Sequence, residues 1–150
     1  MPTLHTNCLY IMLKLIKYTY IPIIISLIIF YLCCLIAPND VPDVEIKFFI
    51  PTDKVVHFLM YFGLSGATAI NYLYLNNWEI KKYKLLIGAF AIPIIYRGLI
   101  ELLQYYYFPP RSGDWFDFLA DILGSLAALP VVLFFRNYVL KKMVSKEQNI

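Results

Sequence analysis

The feature that most constrains the fold is a stretch of 20 residues, 18–37, without a charged side chain (YTYIPIIISLIIFYLCCLIA). An α-helix needs about 20 apolar residues to cross the hydrocarbon core of a bilayer, so this stretch has the length of a membrane span. Lys14 and Lys17 precede it, as in a signal peptide, but the residues around Ala37 do not fit the small-residue pattern of a cleavage site. The stretch is therefore predicted to be an uncleaved span.

Three more apolar segments follow, and together the four predict an all-α membrane protein with four transmembrane helices. The further segments cover residues 55–75, 85–108 and 115–135. Composition agrees with this class, because 61% of the residues are hydrophobic and only 15% are charged, against about 25% charged in soluble domains. The whole chain, residues 1–150, is predicted to form a single transmembrane domain.

The basic residues predict the orientation of these spans. Nine of the 13 lysine and arginine residues fall on one side, namely Lys14, Lys17, Lys81, Lys82, Lys84, Arg136, Lys141, Lys142 and Lys146. The positive-inside rule places that side in the cytoplasm, so the N-terminus and the C-terminus are both predicted to be cytoplasmic. Most acidic residues fall at the opposite, outer side. Because topology explains the basic residues, no binding to nucleic acid is predicted.

Ionisable side chains inside the spans are the main sign of function, because each costs about 2.5–3.5 kcal/mol near the centre of a membrane helix. Polar side chains in and next to three of the spans recur at spacings of three or four residues and therefore lie along one stripe of each helix. The stripes are Asp53, His57 and Tyr61 on the second span, Arg97, Glu101 and Gln104 on the third, and Asp114, Asp117 and Asp121 on the fourth. All three stripes occupy the outer halves of their spans, and antiparallel neighbouring helices would bring them to matching heights.

Each polar residue also has a structural interpretation that the sequence leaves open. The alternatives are helix capping for Asp53 and Asp114, interfacial anchoring for Lys54 and Arg111, and structural hydrogen bonding for His57 and Gln104. For Arg97, Glu101 and Asp121 the alternative is a buried ion pair that only holds the bundle together. Two acids with one base leave an acid that has to be protonated, hydrated or paired with a ligand, and this favours a function.

The site predicted from these stripes is a ligand-binding pocket that opens to the outer surface. Its residues are Asp53, Lys54, His57, Arg97, Glu101, Gln104, Arg111, Asp117 and Asp121. Small residues such as Gly63, Gly66 and Gly124 are predicted to allow close helix contact. Pro93 is predicted to kink or locally open the third span one turn before Arg97. No catalytic residue is assigned, and without a metal-ligand spacing of histidine or cysteine no metal or cofactor is predicted.

Three stretches in order, DKVVHFLMYF, ELLQYYYFPPR and DFLADILG, resemble the pattern of the VanZ-like family of bacterial integral membrane proteins. The matching positions are Asp53, Lys54 and His57 at the start of one span, Glu101 and Gln104 in the next, then Arg111, and Asp117, Asp121 and Gly124 in the last. The family often has Asn at the last polar position, where this chain has Asp121, which adds an acidic group. The resemblance covers about half of the chain.

The resemblance implies a four-span fold, a place in the bacterial inner (cytoplasmic) membrane and a link to low-level resistance to teicoplanin, a glycopeptide that binds a cell-wall precursor. It implies no established reaction, and resistance is not inferred for this chain. The lipid bilayer is a predicted partner, and the sequence leaves oligomerisation open.

Three functions remain open. The leading hypothesis is a pocket that engages a cell-envelope ligand, a lipid-linked precursor or a phospholipid headgroup, with basic side chains and histidine meeting phosphate. The second is an intramembrane enzyme that uses His57 and a carboxylate as acid and base on the same class of ligand. The third is an ion- or proton-coupled transporter, which the apolar cytoplasmic halves of the spans disfavour.

Overall fold

The computed structural model of the chain describes residues 19–35, 51–108 and 114–147. These residues form four helices and no strand, and the helices are α1 (Thr19–Leu35), α2 (Thr52–Leu75), α3 (Lys82–Tyr107) and α4 (Trp115–Glu147). The predicted all-α class is confirmed. Each apolar segment of the sequence corresponds to one helix, and α4 continues past its predicted end at residue 135.

Two helices of the described ranges, Lys82–Tyr107 and Trp115–Ser145, are long and apolar enough to cross a membrane, by length and composition alone. Only 28% and 33% of their most apolar windows are buried against the rest of the chain. The core helix of a soluble protein would be mostly buried, so both helices present apolar surface outward. The apolar helix α1 is shorter.

Helices α2 and α4 pack against each other along their lengths. His57 contacts Asp121 at a sequence offset of 64, and the Arg136 Nε donates to the Trp78 carbonyl oxygen at 2.8 Å, at an offset of 58. A nearly constant offset along both helices means that they run in the same direction. The same direction is what alternating spans two and four would have, and the antiparallel neighbours α3 and α4 do align their polar stripes where Arg97 meets Asp121. The end at which α2 and α4 begin is called the polar end below.

Gly124 sets the closest approach of α2 and α4. A Cβ added at this position would collide with the Phe58 carbonyl oxygen, so only glycine fits at this distance. Gly63 and Gly66, which the sequence also assigned to close contact, have open space around an added Cβ, since no neighbouring element among the described residues comes within 4 Å. The prediction of tight glycine packing is thus confirmed for Gly124 and wrong for the other two.

Helix α3 contains a π-helical turn, Ile87–Ala91, shortly before its buried proline, Pro93. The local opening predicted near Pro93 is therefore found as a wider turn on the N-terminal side of the proline. Beyond this turn, Arg97, Ile100 and Gln104 are buried at spacings of three and four residues. This second half of α3 thus turns one mixed polar and apolar face toward the bundle.

Helix α1 docks on this part of α3 through two hydrogen bonds. The Gln104 Nε2 donates to the Cys33 carbonyl oxygen at 2.8 Å, and the Tyr96 hydroxyl donates to the Ser26 carbonyl oxygen at 2.6 Å. The alternative interpretation of Gln104, as a bond to a neighbouring helix, is confirmed. Gln104 therefore has a structural role whatever else it does.

We expect Gln104→Leu to lower the free energy of unfolding by about 0.6–1.7 kcal/mol, because the Cys33 carbonyl oxygen loses its side-chain donor in a nonaqueous setting. Thermal unfolding of the detergent-solubilised chain, followed by circular dichroism, measures the change. Tyr105→Leu is the matched control, because Tyr105 is 74% exposed. Equal effects of the two substitutions would contradict a role for the hydrogen bond.

Candidate functional site

Seven ionisable side chains from three helices form one connected network at the polar end. This polar network consists of Asp53, Lys54, His57, Arg97, Asp114, Asp117 and Asp121. The exposed fraction of the side chain falls from 64% at Asp53, through 12% at His57, to 0% at Asp121. The polar network therefore leads from the surface into the interior of the bundle.

Lys54 holds the outer part of the polar network together. Its Nζ donates to Asp114 Oδ2 at 2.7 Å, to Asp53 Oδ2 at 3.3 Å and to Asp117 Oδ1. These carboxylates come from the first turn of α2 and from the start of α4. One ammonium thus ties the beginnings of the two helices to each other.

Asp114 also caps α4, as one alternative interpretation of the sequence predicted. Its Oδ1 accepts a hydrogen bond from the backbone N–H of Phe116 at 3.0 Å. The same interpretation is wrong for Asp53, because α2 begins after Pro51 without any side-chain cap. Asp53 lies inside the first turn of α2, where it contacts Lys54 instead.

The charges of this outer part persist over a wide pH range. Burial lowers the pKa of Lys54, but its hydrogen bonds to the carboxylates outweigh burial and leave the pKa above its ordinary value. The Lys54 ammonium, and next the Phe116 N–H, lower the pKa of the Asp114 carboxyl. The stabilisation from Lys54 is lost only as pH rises through its raised pKa, and that from Asp114 only as pH falls through its lowered pKa. Both groups therefore stay charged between about pH 4 and pH 10.

His57 lies between the outer and the buried part. Its Nδ1 is 3.1 Å from Asp121 Oδ1, which is a hydrogen-bond distance. Its Nε2 is 3.7 Å from Asp117 Oδ2 and 3.9 Å from Asp53 Oδ1, which is too long for a hydrogen bond. A carboxylate at Nδ1 assigns the proton to that nitrogen. The Nε2 of a neutral His57 therefore directs its lone pair toward two carboxylates.

The innermost part is an ion pair between Arg97 and Asp121, both almost completely buried. The Arg97 Nε is 2.7 Å from Asp121 Oδ2, although the N–H direction does not meet hydrogen-bond geometry. Within the described residues, the Arg97 Nη1 and the buried hydroxyls of Tyr61 and Ser65 have no hydrogen-bond partner either. Buried polar atoms are normally paired, so this layer has capacity for further polar partners.

Six of the nine predicted site residues belong to the polar network: Asp53, Lys54, His57, Arg97, Asp117 and Asp121. Gln104 bonds to α1, and Arg111 lies outside the described residues. Glu101 is partly buried and forms no ion pair or hydrogen bond with another described residue, so Arg97 pairs with Asp121 and not with Glu101. Asp114 is not among the predicted site residues, although the sequence places it on the same stripe as Asp117 and Asp121, and it joins the polar network through Lys54.

Three members of the polar network offer metal-ligand atoms close to each other. One ligand atom each from Asp53, His57 and Asp117 lies within 4.8 Å of the other two. The sequence predicted no metal site because these donors come from two helices far apart in the chain and show no local spacing. That prediction remains untested.

An apolar groove of about 690 Å³ lies beside the polar network, between the first halves of α2 and α4. It is lined by Pro51, Lys54, Val55, Phe58, Phe116, Leu119, Ala120 and Leu123. Lys54 is the only charged side chain among these residues and also belongs to the polar network. The groove is therefore apolar, and Lys54 is the side chain that it shares with the polar network.

Comparisons of the chain with protein-family models, with curated proteins and with solved structures found no match.

Proposed function

We propose that the chain is a four-span, VanZ-like protein of the bacterial inner membrane, with both termini in the cytoplasm, whose outward-facing polar network binds the head of an envelope lipid. The observation that carries this proposal is the double role of Lys54. The same side chain holds the polar network together and lines the apolar groove. A lipid fits this arrangement, because its acyl chain would lie in the groove and its head would contact the polar network beside it.

The surface of the bundle supports a place in lipid. Large apolar side chains are exposed on every helix, among them Leu27 at 62%, Leu59 at 58%, Ile95 at 64% and Phe134 at 77%. So many exposed apolar side chains are unfavourable in water and favourable against acyl chains. The lysines between α2 and α3 and at the end of α4 lie opposite the polar end, which agrees with a cytoplasmic location by the positive-inside rule.

The charge of the polar network indicates which chemical groups of a ligand it would contact. Its four carboxylates face two permanent cations, Lys54 and Arg97, and each cation contacts at least one carboxylate. An acidic mouth of this kind holds hydroxyl, amide or ammonium groups directly and repels a bare phosphate. The ligand groups in direct contact are therefore expected to be donors, such as the hydroxyls of a lipid-linked sugar.

The test is native mass spectrometry of the full chain, purified from bacterial membranes in mild detergent. Wild-type protein should retain a defined envelope lipid. Asp117→Asn, in the polar network, and Leu123→Trp, which fills the groove, should each lower the retained fraction at least about tenfold, equivalent to about 1.4 kcal/mol. Leu126→Trp is the matched control, because Leu126 is similarly exposed on α4 but does not line the groove.

Two results would contradict the proposal. One is the absence of any specific lipid in the wild-type protein. The other is equal retention by the wild type and by folded Asp117→Asn and Leu123→Trp. In either case the buried ion pair between Arg97 and Asp121 is better explained as support for the bundle alone.

A second candidate function is catalysis on the same lipid, and the orientation of His57 favours it. Asp121 holds the Nδ1 of the imidazole, so the Nε2 faces the mouth of the polar network, where it can accept or donate a proton. Purified protein incubated with the retained lipid would then convert it, and His57→Gln would abolish conversion. Unchanged lipid after long incubation with wild-type protein would leave binding as the function.

A further inference from the structure

The three donor atoms of Asp53, His57 and Asp117 form a compact triangle. The His57 Nε2 is 3.9 Å from Asp53 Oδ1 and 3.7 Å from Asp117 Oδ2. Ligand atoms around tetrahedral Zn²⁺, each about 2.0–2.2 Å from the metal, lie roughly 3.4 Å apart. Small side-chain adjustments would therefore bring all three donors to coordination distance.

The second nitrogen of His57 is held as it is in metal-binding histidines. Its Nδ1 contacts the carboxylate of Asp121, which is itself 0% exposed and paired with Arg97. Such a carboxylate fixes the ring and makes the other nitrogen a better ligand. The support comes from residues outside the donor triangle, so it is independent of the distances within the triangle.

Charge supplies a further reason. With neutral His57, the four carboxylates of the polar network exceed its permanent cations, Lys54 and Arg97, by two charges. A lone pair on Nε2 that faces two carboxylates is unfavourable, and either a proton on Nε2 or a metal cation between the three groups relieves the repulsion. Lys54 contacts Asp53 Oδ2 and Asp117 Oδ1, whereas the oxygens closest to the His57 Nε2 are Asp53 Oδ1 and Asp117 Oδ2. A divalent cation in the triangle would balance the charge.

We propose that Asp53, His57 and Asp117 bind a divalent transition-metal ion, for which mixed imidazole and carboxylate ligands favour Zn²⁺ over Mg²⁺ or Ca²⁺. This site goes beyond the proposed lipid binding and does not depend on it. A three-ligand site also leaves a coordination position open. If the chain binds a lipid head as proposed above, that open position would let the acidic mouth accept a lipid phosphate through the metal.

The test uses the full chain in detergent, stripped with a chelator and titrated with Zn²⁺ by calorimetry. Wild-type protein should bind one Zn²⁺ with saturation and bind Mg²⁺ far more weakly. Asp53→Asn should lower the Zn²⁺ affinity by about 10–100-fold or more, the range found for supporting residues of metal sites. The Asp53 side chain is 64% exposed, so this substitution is not expected to unfold the chain.

Asp114→Asn is the matched control. Asp114 carries the same charge and contacts the same Lys54, but it is not among the three donors. Its loss should change the affinity by no more than about threefold, which is the effect of charge alone. Bound Co²⁺ should also show a visible spectrum that changes in His57→Gln.

The proposal is overturned if Zn²⁺ binding to the wild-type protein does not saturate. It is also overturned if Asp53→Asn and Asp114→Asn weaken Zn²⁺ binding equally, because that result would mean that the ion is attracted by net charge and not bound by particular ligands. Lipid retention by the chelated protein is measured separately. Lost Zn²⁺ binding with retained lipid refutes only the metal site, and Zn²⁺ binding without any lipid refutes only the proposed function.

Discussion

Asp121→Ala is expected to lower the free energy of unfolding by about 3–5 kcal/mol, because it leaves the buried Arg97 guanidinium without its counter-charge. Asp121 is 0% and Arg97 2% exposed at the side chain, and their closest atoms are 2.7 Å apart. Removing one partner of such a pair leaves a charge that water does not reach. Unfolding of the detergent-solubilised chain in increasing SDS, followed by circular dichroism, measures the change.

The double variant Arg97→Leu, Asp121→Leu separates stability from function. Because it removes both charges together, it should be far more stable than either single variant, which a double-mutant cycle reports as coupling. A coupling energy near zero would contradict the ion pair. If the double variant folds but no longer retains lipid, the pair serves the site as well as the bundle.

Gly124→Ala is expected to cost about 1–3 kcal/mol, although alanine normally favours a helix over glycine. The reason is the backbone of α2. The added Cβ would collide with the Phe58 carbonyl oxygen, which belongs to backbone and has no rotamer through which to move away. Helix α4 would have to move away from α2, and this would lengthen the contact between His57 and Asp121. The melting temperature of the variant in detergent measures the loss.

Gly63→Ala is the control for this prediction. An alanine there has open space around its Cβ, so it should leave the melting temperature unchanged or raise it slightly. If the two variants melt alike, α2 and α4 do not approach each other closely at Gly124.

The sequence predicted which face of each helix carries the polar residues better than it predicted which residues form ion pairs. His57, Asp117 and Asp121 could be assigned to helix faces because spacing along one helix is a local property. The partner of Arg97 could not be chosen, since Glu101 lies one turn away on the same helix and Asp121 lies on another. The structure pairs Arg97 with Asp121 and leaves Glu101 without a described partner.

The sequence by itself determined the all-helical class, the apolar segments and the concentration of charge toward one end of the helices. Each of these follows from the composition and periodicity of a short window. Only the tertiary structure decided that α2 and α4 are in direct contact, that Lys54 binds three carboxylates and that Asp53, His57 and Asp117 converge. Such contacts depend on the rotation and register of whole helices, which are set by long-range packing such as that of Gly124 against Phe58.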